Sequence, residues 1–224
     1  MKDIKEITNI LGLKKNSSHM TDVMAMILSN ARLAGEIEDG YFMAKQKFVV
    51  NHLRSIEEDK LNYSARILTR KRAGDVKYIH CRSQVYCNDH LQSELYTSLI
   101  KKKQAGTRSL NNVKHFSGSP MEKLTSFSPE QIMAFSKWSG DMNSIHLGEK
   151  PVVQGMLLLL ALEDYLCIKG SKIHRGNIRY LHPIKACEDI FIYREQNKIT
   201  GISKDKECFI LEITGESSCL KKLN

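Results

Sequence analysis

The run GMLLLLALEDYL at residues 155–166 constrains this chain more than any other segment. Read at 3.6 residues per turn, it is a helix apolar nearly all round, and such a helix has no face to offer water. Other elements must wrap it. Its longest unbroken apolar stretch, Met156 to Leu162, falls far short of the ~20 residues of a membrane span. Wrapping material follows in strand-like segments at 173–181, 189–195, 198–203 and 207–215, the last of which, ECFILEITG, alternates cleanly. One buried helix with strands after it predicts an α+β unit.

Upstream, Ser128-Pro129-Glu130-Gln131 has the composition of a helix start: a serine cap, proline at the first helical position, acid and amide in the first turn. That helix carries Ile132, Phe135 and Trp138 on one face and ends at Ser139-Gly140. Asp141, Asn143 and His146 follow, and eight residues, Leu147 to Gln154, lead on to Gly155. A lone Asp, Asn or His after a helix is ordinarily a cap or turn residue. The set together, followed by glycine at a helix start, reads as a reaction site.

The first part of the chain has its own pattern. Val23, Met24, Ile27, Leu28 and Ala31 recur at helical spacing, predicting a helix over residues 20–34. Alternating stretches come next, FMAKQKFVV, LNYSARILT and VKYIHCRSQVY, then a more helical ELYTSLI. Residues 104–125 lose periodicity and collect Gly, Ser, Asn and Pro. The expected organisation is a first half over 1–104, a linker over 105–125 and a second half over 126–224.

A net charge of +9 favours an anionic partner: nucleic acid, an acidic carrier protein, or a phosphorylated ligand such as coenzyme A. Arg70-Lys71-Arg72 and Lys101-Lys102-Lys103 carry no interleaved aromatics and read as solvated surface, so no nucleic-acid partner is expected. The first ~20 residues are too short for a helix-turn-helix module beside a complete first half. The N-terminus, MKDIKEITNILGLKK, lacks the apolar core of a secretory leader, and a cytoplasmic location is expected. Six cysteines without a C-x-x-C pair read as reduced thiols. Cys81, Cys87 and His90 match no common zinc spacing, and G-x-S-x-G, P-loop and G-x-G-x-x-G motifs are missing; neither metal nor cofactor is expected.

FSKWSGDMNSIH, residues 135–146, resembles the hydratase motif of the MaoC-like family, the (R)-specific enoyl-CoA hydratases and 3-hydroxyacyl dehydratases of hotdog fold. VVQGML at 152–157 is similar to that family's V-H-G-M-L helix start, and Tyr180-Leu181-His182-Pro183-Ile184 and the residues after it to its F-x-x-P-V-x-x-G-D strand. The resemblance runs from about Ser126 to the C-terminus. It implies a double hotdog in one chain, with two antiparallel sheets each wrapping a central helix, and a first half that catalyses nothing. It implies a thioester of coenzyme A or acyl carrier protein as substrate, and leaves room for a homodimer of such chains. A hotdog thioesterase and a non-catalytic acyl-thioester-binding regulator are the alternatives.

Hydration of an enoyl thioester needs a base for water, a proton donor to C2, and stabilisation of charge on the thioester oxygen. In the resembled family, the residues matching Asp141 and His146 hold one water between them. Gly155 starts a helix, so its N–H is free of an intrahelical partner and lies at the positive end of the dipole, making it the expected oxyanion donor. Without a Cβ it also lets the thioester approach closely. Asn143 and Ser139 are expected to support the loop, and Gln154 and Glu163 to line the pocket; His174 and His182, flanking a strand, read as surface. Against the family, Ser144 stands for the usual Pro, Gly148 for Asp and Gln154 for His, and the connection from His146 to Gly155 is considerably shorter. That connection normally covers part of the acyl tunnel.

Overall fold

The computed structural model describes residues 4–13, 18–51, 60–102 and 121–218. In chain order these form helices α1 (Ile4–Ile10) and α2 (Ser18–Ala31), strands β1 (Phe42–Val50), β2 (Leu61–Ala73), β3 (Val76–Cys87), β4 (His90–Lys102) and β5 (Glu122–Thr125), helices α3 (Pro129–Ser139) and α4 (Gly155–Ile168), and strands β6 (Ser171–Tyr180), β7 (Ile190–Glu195), β8 (Lys198–Ser203) and β9 (Lys206–Ser218). Residues 105–120 of the expected linker lie outside the described residues, and its last residues form β5.

The apolar run is α4, with every residue from Met156 to Asp164 buried. Each fully buried leucine there contributes about 1.5–3 kcal/mol relative to exposure. α3 starts as its sequence dictates: the Ser128 side chain accepts from the Gln131 N–H at 3.3 Å and the Gln131 side chain accepts from the Ser128 N–H at 2.9 Å. It stops at Gly140, whose φ of +80° is left-handed and whose N–H reaches the Ser136 carbonyl. Two-residue turns with positive φ, Asn88-Asp89 and Lys204-Asp205, close the β3–β4 and β8–β9 hairpins.

The strands form one antiparallel sheet of nine in the order β2-β3-β4-β1-β6-β9-β8-β7-β5, consistent with a hotdog fold. This differs from the two sheets expected, because β1 pairs along β6, from Lys45 opposite Arg179 to Val49 opposite Arg175, and makes the sheet continuous. Strand order mirrors across that seam. α2 precedes β1 and the order outward is β1-β4-β3-β2; α4 precedes β6 and the order outward is β6-β9-β8-β7, with β5 added beyond. α2 packs on β2, β3 and β4, α4 on β5 and β6, and the two helices touch. One core therefore runs from Val23, Met24, Ile27 and Phe48 to Leu157, Leu160 and Phe209.

ELYTSLI is not helical. It lies in β4, where Leu95 and Thr97 are buried while Glu94, Tyr96 and Ser98 face outward. The period is two, and pairing with β1 on one side and β3 on the other overrides the helix-forming composition. Among the described residues no helix is long and apolar enough to cross a membrane.

Candidate active site

Gly140 turns the chain out of α3 and into a loop whose polar groups face one another. The Asp141 carboxylate stands 3.5 Å from Nε2 of His146; the imidazole is 7% exposed and the carboxylate 40%. Nδ1 of His146 lies 2.7 Å from the Val152 carbonyl. A carbonyl only accepts, so Nδ1 carries a proton, and whenever the ring is neutral Nε2 presents its lone pair toward Asp141. The short connection supplies that carbonyl. It is laid down by Val152 N–H on the Ile145 carbonyl, Val153 N–H on the Ile184 carbonyl and Ala186 N–H on the Pro151 carbonyl, at 2.8 to 2.9 Å.

Asn143 braces the loop from the first half of the chain. Its side chain donates to the Tyr41 carbonyl at 2.7 Å and accepts from the Gly40 N–H at 3.0 Å. Asp39 accepts from the Ser144 N–H at 2.7 Å. Hydrogen bonds from the Ser144 side chain, and next its backbone, hold the Asp39 carboxyl below the ordinary value of 3.8. Ser139 is buried; its Oγ donates to the Ser136 carbonyl and accepts from the Asp141 N–H. Sequence reasoning named Asn143 and Ser139 but missed Asp39 and Tyr41. The acid–glycine turn Asp39-Gly40 before a strand was the available signal, without anything to say what it held.

Asp141, Asn143, His146 and Gly155 all border one cavity of about 660 Å³, with Leu33, Leu99, Leu158 and Ile184 among its apolar walls. Gly155 is the first residue of α4, after Gln154 as cap. The space above its Cα is not open to ligand. A Cβ there would lie 2.6 Å from Sδ of Met43 and 2.9 Å from Cζ of Tyr180, so glycine is required by protein packing. The Tyr180 hydroxyl lies 2.8 Å from the Gly155 carbonyl and 2.7 Å from Oε1 of buried Gln46, and burial pushes its pKa well up. The phenol thus stays a neutral donor, tied to the first turn of α4. Its hydroxyl stands where the resembled motif has phenylalanine.

The other predicted residues divide. His182 borders the cavity, whereas His174 reaches the Ser217 hydroxyl away from it. Gln154 points at α3, donating to the Ser136 hydroxyl at 2.6 Å and the Ile132 carbonyl at 3.2 Å, and Glu163 is fully buried two turns along α4. Neither is on the cavity wall, to which α4 gives Gly155 and Leu158. Cys81 and Cys87 are buried strand residues, and desolvation raises the Cys81 thiol to about 11. Among the described residues no cluster of His, Cys, Asp and Glu has the form of a metal site.

No family model matches the sequence, and no curated protein matches it. Solved structures do share its fold. HtdX from Mycobacterium tuberculosis superposes with a TM-score of 0.68 at 12% identity over 94% of each chain. Peroxisomal multifunctional enzyme type 2 from Drosophila melanogaster gives 0.61 at 12% identity, over 95% of this chain and 44% of that one. A MaoC-like dehydratase from Phytophthora capsici gives 0.53 at 16% identity, over 78% and 72%. At such identities the likeness is one of fold.

Proposed function

We propose that this chain hydrates trans-2-enoyl thioesters to (R)-3-hydroxyacyl thioesters and catalyses the reverse dehydration. The mirrored strand order is read as two hotdog units in one chain, a non-catalytic one over 1–104 and a catalytic one over 126–224. One observation carries the chemistry: two acceptors, the Asp141 carboxylate and the lone pair of His146 Nε2, stand 3.5 Å apart on the wall of a largely apolar cavity. They cannot bond each other while the ring is neutral, but one water can donate a hydrogen to each.

Hydration follows from that water. His146 Nε2 takes one of its protons as the oxygen bonds to C3, and the C2=C3 π electrons move toward the thioester oxygen. The resulting imidazolium faces the Asp141 carboxylate, which stabilises it. Negative charge on the thioester oxygen is met by the Gly155 N–H and the positive end of α4. The pair then returns the proton to C2 on the same face, so one water is added and the groups are unchanged. Delivery from one face makes the addition syn. The name of the Phytophthora neighbour, a dehydratase, agrees with this reading.

Incubation with trans-2-butenoyl-CoA, following loss of the conjugated absorbance alongside a free-thiol assay, tests the proposal. Loss of absorbance without thiol release, and an (R) product on chiral analysis, is the expected result. Thiol release with the double bond intact would make the protein a thioesterase, no change in either signal would make it a binding protein, and an (S) product would overturn the (R)-specific assignment.

A further inference from the structure

The face of the sheet turned away from α2 and α4 carries an arrangement that hydration does not use. Residues in register stand directly opposite one another across it: Arg66 on β2 faces Arg82 on β3, Arg82 faces Tyr96 on β4, Tyr96 faces Lys47 on β1, and Lys47 faces Asn177 on β6. In the rows on either side Lys45 stands opposite Arg179, and Val49 opposite Arg175. Like charges directly opposite on an antiparallel pair are destabilising. Arg66 against Arg82, and Lys45 against Arg179, are two such pairs.

Carboxylates relieve this only in part. Glu94 bonds Arg82, and Glu212 lies 3.5 Å from Arg179. Lys45, Lys47, Arg66 and Arg175 are exposed and have no carboxylate partner among the described residues. A fold that sets like charges opposite one another, with only one cation of each pair offered a carboxylate, gives up stability, and such violations mark functional surfaces. The cations extend from β2 to β6, about 19 Å at ~4.8 Å per strand, wider than the phosphates of one small ligand require.

The same face reaches the cavity. Phe42 pairs with Ile100 on the outward side, one row beyond Lys45 and Ser98. Phe42, Ile100 and Lys102 all border the cavity, so its rim belongs to the basic face and gains a cation there.

We propose that this face docks an acidic carrier protein bearing the acyl thioester on its phosphopantetheine arm, with the arm entering past Phe42, Ile100 and Lys102. This rests on the acyl-thioester reading of the cavity. The breadth of the patch selects a macromolecule over free coenzyme A, and its continuity with the rim selects a partner that delivers substrate over one bound elsewhere for another purpose.

The test compares one trans-2-butenoyl group presented on a purified acidic holo-acyl carrier protein and on coenzyme A. In Lys47→Glu/Arg175→Glu, both exposed and off the cavity, kcat/KM on the carrier protein falls at least ~10-fold, as loss of electrostatic steering dictates, while that on coenzyme A changes less than ~3-fold. Equal losses on both substrates would reassign the patch to coenzyme A phosphates and overturn the proposal, as would no loss on either. A second variant, Lys45→Gln/Lys47→Gln, removes the Lys45–Arg179 repulsion. It should melt no lower than wild type and still lose carrier-dependent turnover; unchanged turnover on the carrier would again overturn the proposal. Titration of unloaded holo-carrier protein separates docking from chemistry: binding lost in the variants by a protein that hydrates no thioester would sustain the dock and sink the hydratase. Tighter binding of a single-stranded oligonucleotide than of the carrier would give the face to nucleic acid and end the proposal.

Discussion

A histidine whose Nδ1–H is given to the Val152 carbonyl can act only through Nε2, and Nε2 has Asp141 and the cavity before it. His146→Ala and Asp141→Asn should therefore each lower turnover at least ~100-fold, the scale of a lost general acid–base group, without unfolding the protein. Near-wild-type rates in either variant, on a substrate the wild type converts, would remove the site. Gly155→Ala fails differently. Its methyl would press on Met43 Sδ and the Tyr180 ring, and overpacking of that kind costs about 1–3 kcal/mol. Because Met43 is the flexible neighbour, Met43→Ala in the same chain should return part of that loss in a denaturant titration; no recovery would show that the Tyr180 ring alone sets the limit. Asp141, Asn143, His146 and Gly155 were legible because they sit close together in sequence with a fixed order. Tyr180, Met43 and Asp39 were not, since they reach the same few ångströms from distant strands and loops, and no local pattern records such a meeting.

Among the elements, the connection between His146 and Gly155 shows how brevity serves position. Val152 bridges to Lys185 and orients its carbonyl on the imidazole, so the eight residues act as a strap for the histidine. The Asp39-Gly40 turn before β1 is the matching strap on the other side, and it titrates. The folded pKa of Asp39 is lowered, so the stabilisation it gives the loop is fully present above its unfolded value of about 3.8 and is lost as pH falls through the folded one. Amide exchange at Ser144, corrected for intrinsic rate, should be slow at neutral pH and quicken in acid, whereas Asp39→Ala should show fast exchange already at neutral pH. Slow exchange at Ser144 in that variant would mean the loop is held by Asn143 alone. Helices α2, α3 and α4 and most strands were readable from caps and periodicity, whereas α1 was not predicted and β5 was read as linker. β4 was read wrongly in part, because Glu, Leu and Ile in ELYTSLI satisfy a helix pattern over one turn, and only the two neighbouring strands decide the period.

For the whole molecule, the seam between β1 and β6 matters most. The cavity takes Leu33, Tyr41, Met43 and Leu99 from one side of that seam and Asp141, His146, Gly155 and Ile184 from the other. A fragment of residues 126–224 should accordingly be inactive, and insoluble once Leu157, Leu160 and the open edge of β6 lose their cover. A monomeric, fully active fragment would show that the first half has another purpose. The sequence suggested two units but not their joining, since β1 and β6 are far apart in the chain and each reads as an ordinary strand. The joined sheet also ends unequally: β5, of 4 residues, closes one side, and β2, of 13, bounds the other. Among the described residues no strand lies beyond β2, and a long border of that kind is a template for growth; here Arg66, Arg70, Lys71 and Arg72 stand guard along it. Their repulsion weakens as salt shortens the Debye length from about 10 Å at 0.1 M to about 3 Å at 1 M. Light scattering should accordingly find dispersed particles at low ionic strength and border-to-border association in concentrated salt, the reverse of proteins whose assembly depends on ion pairs.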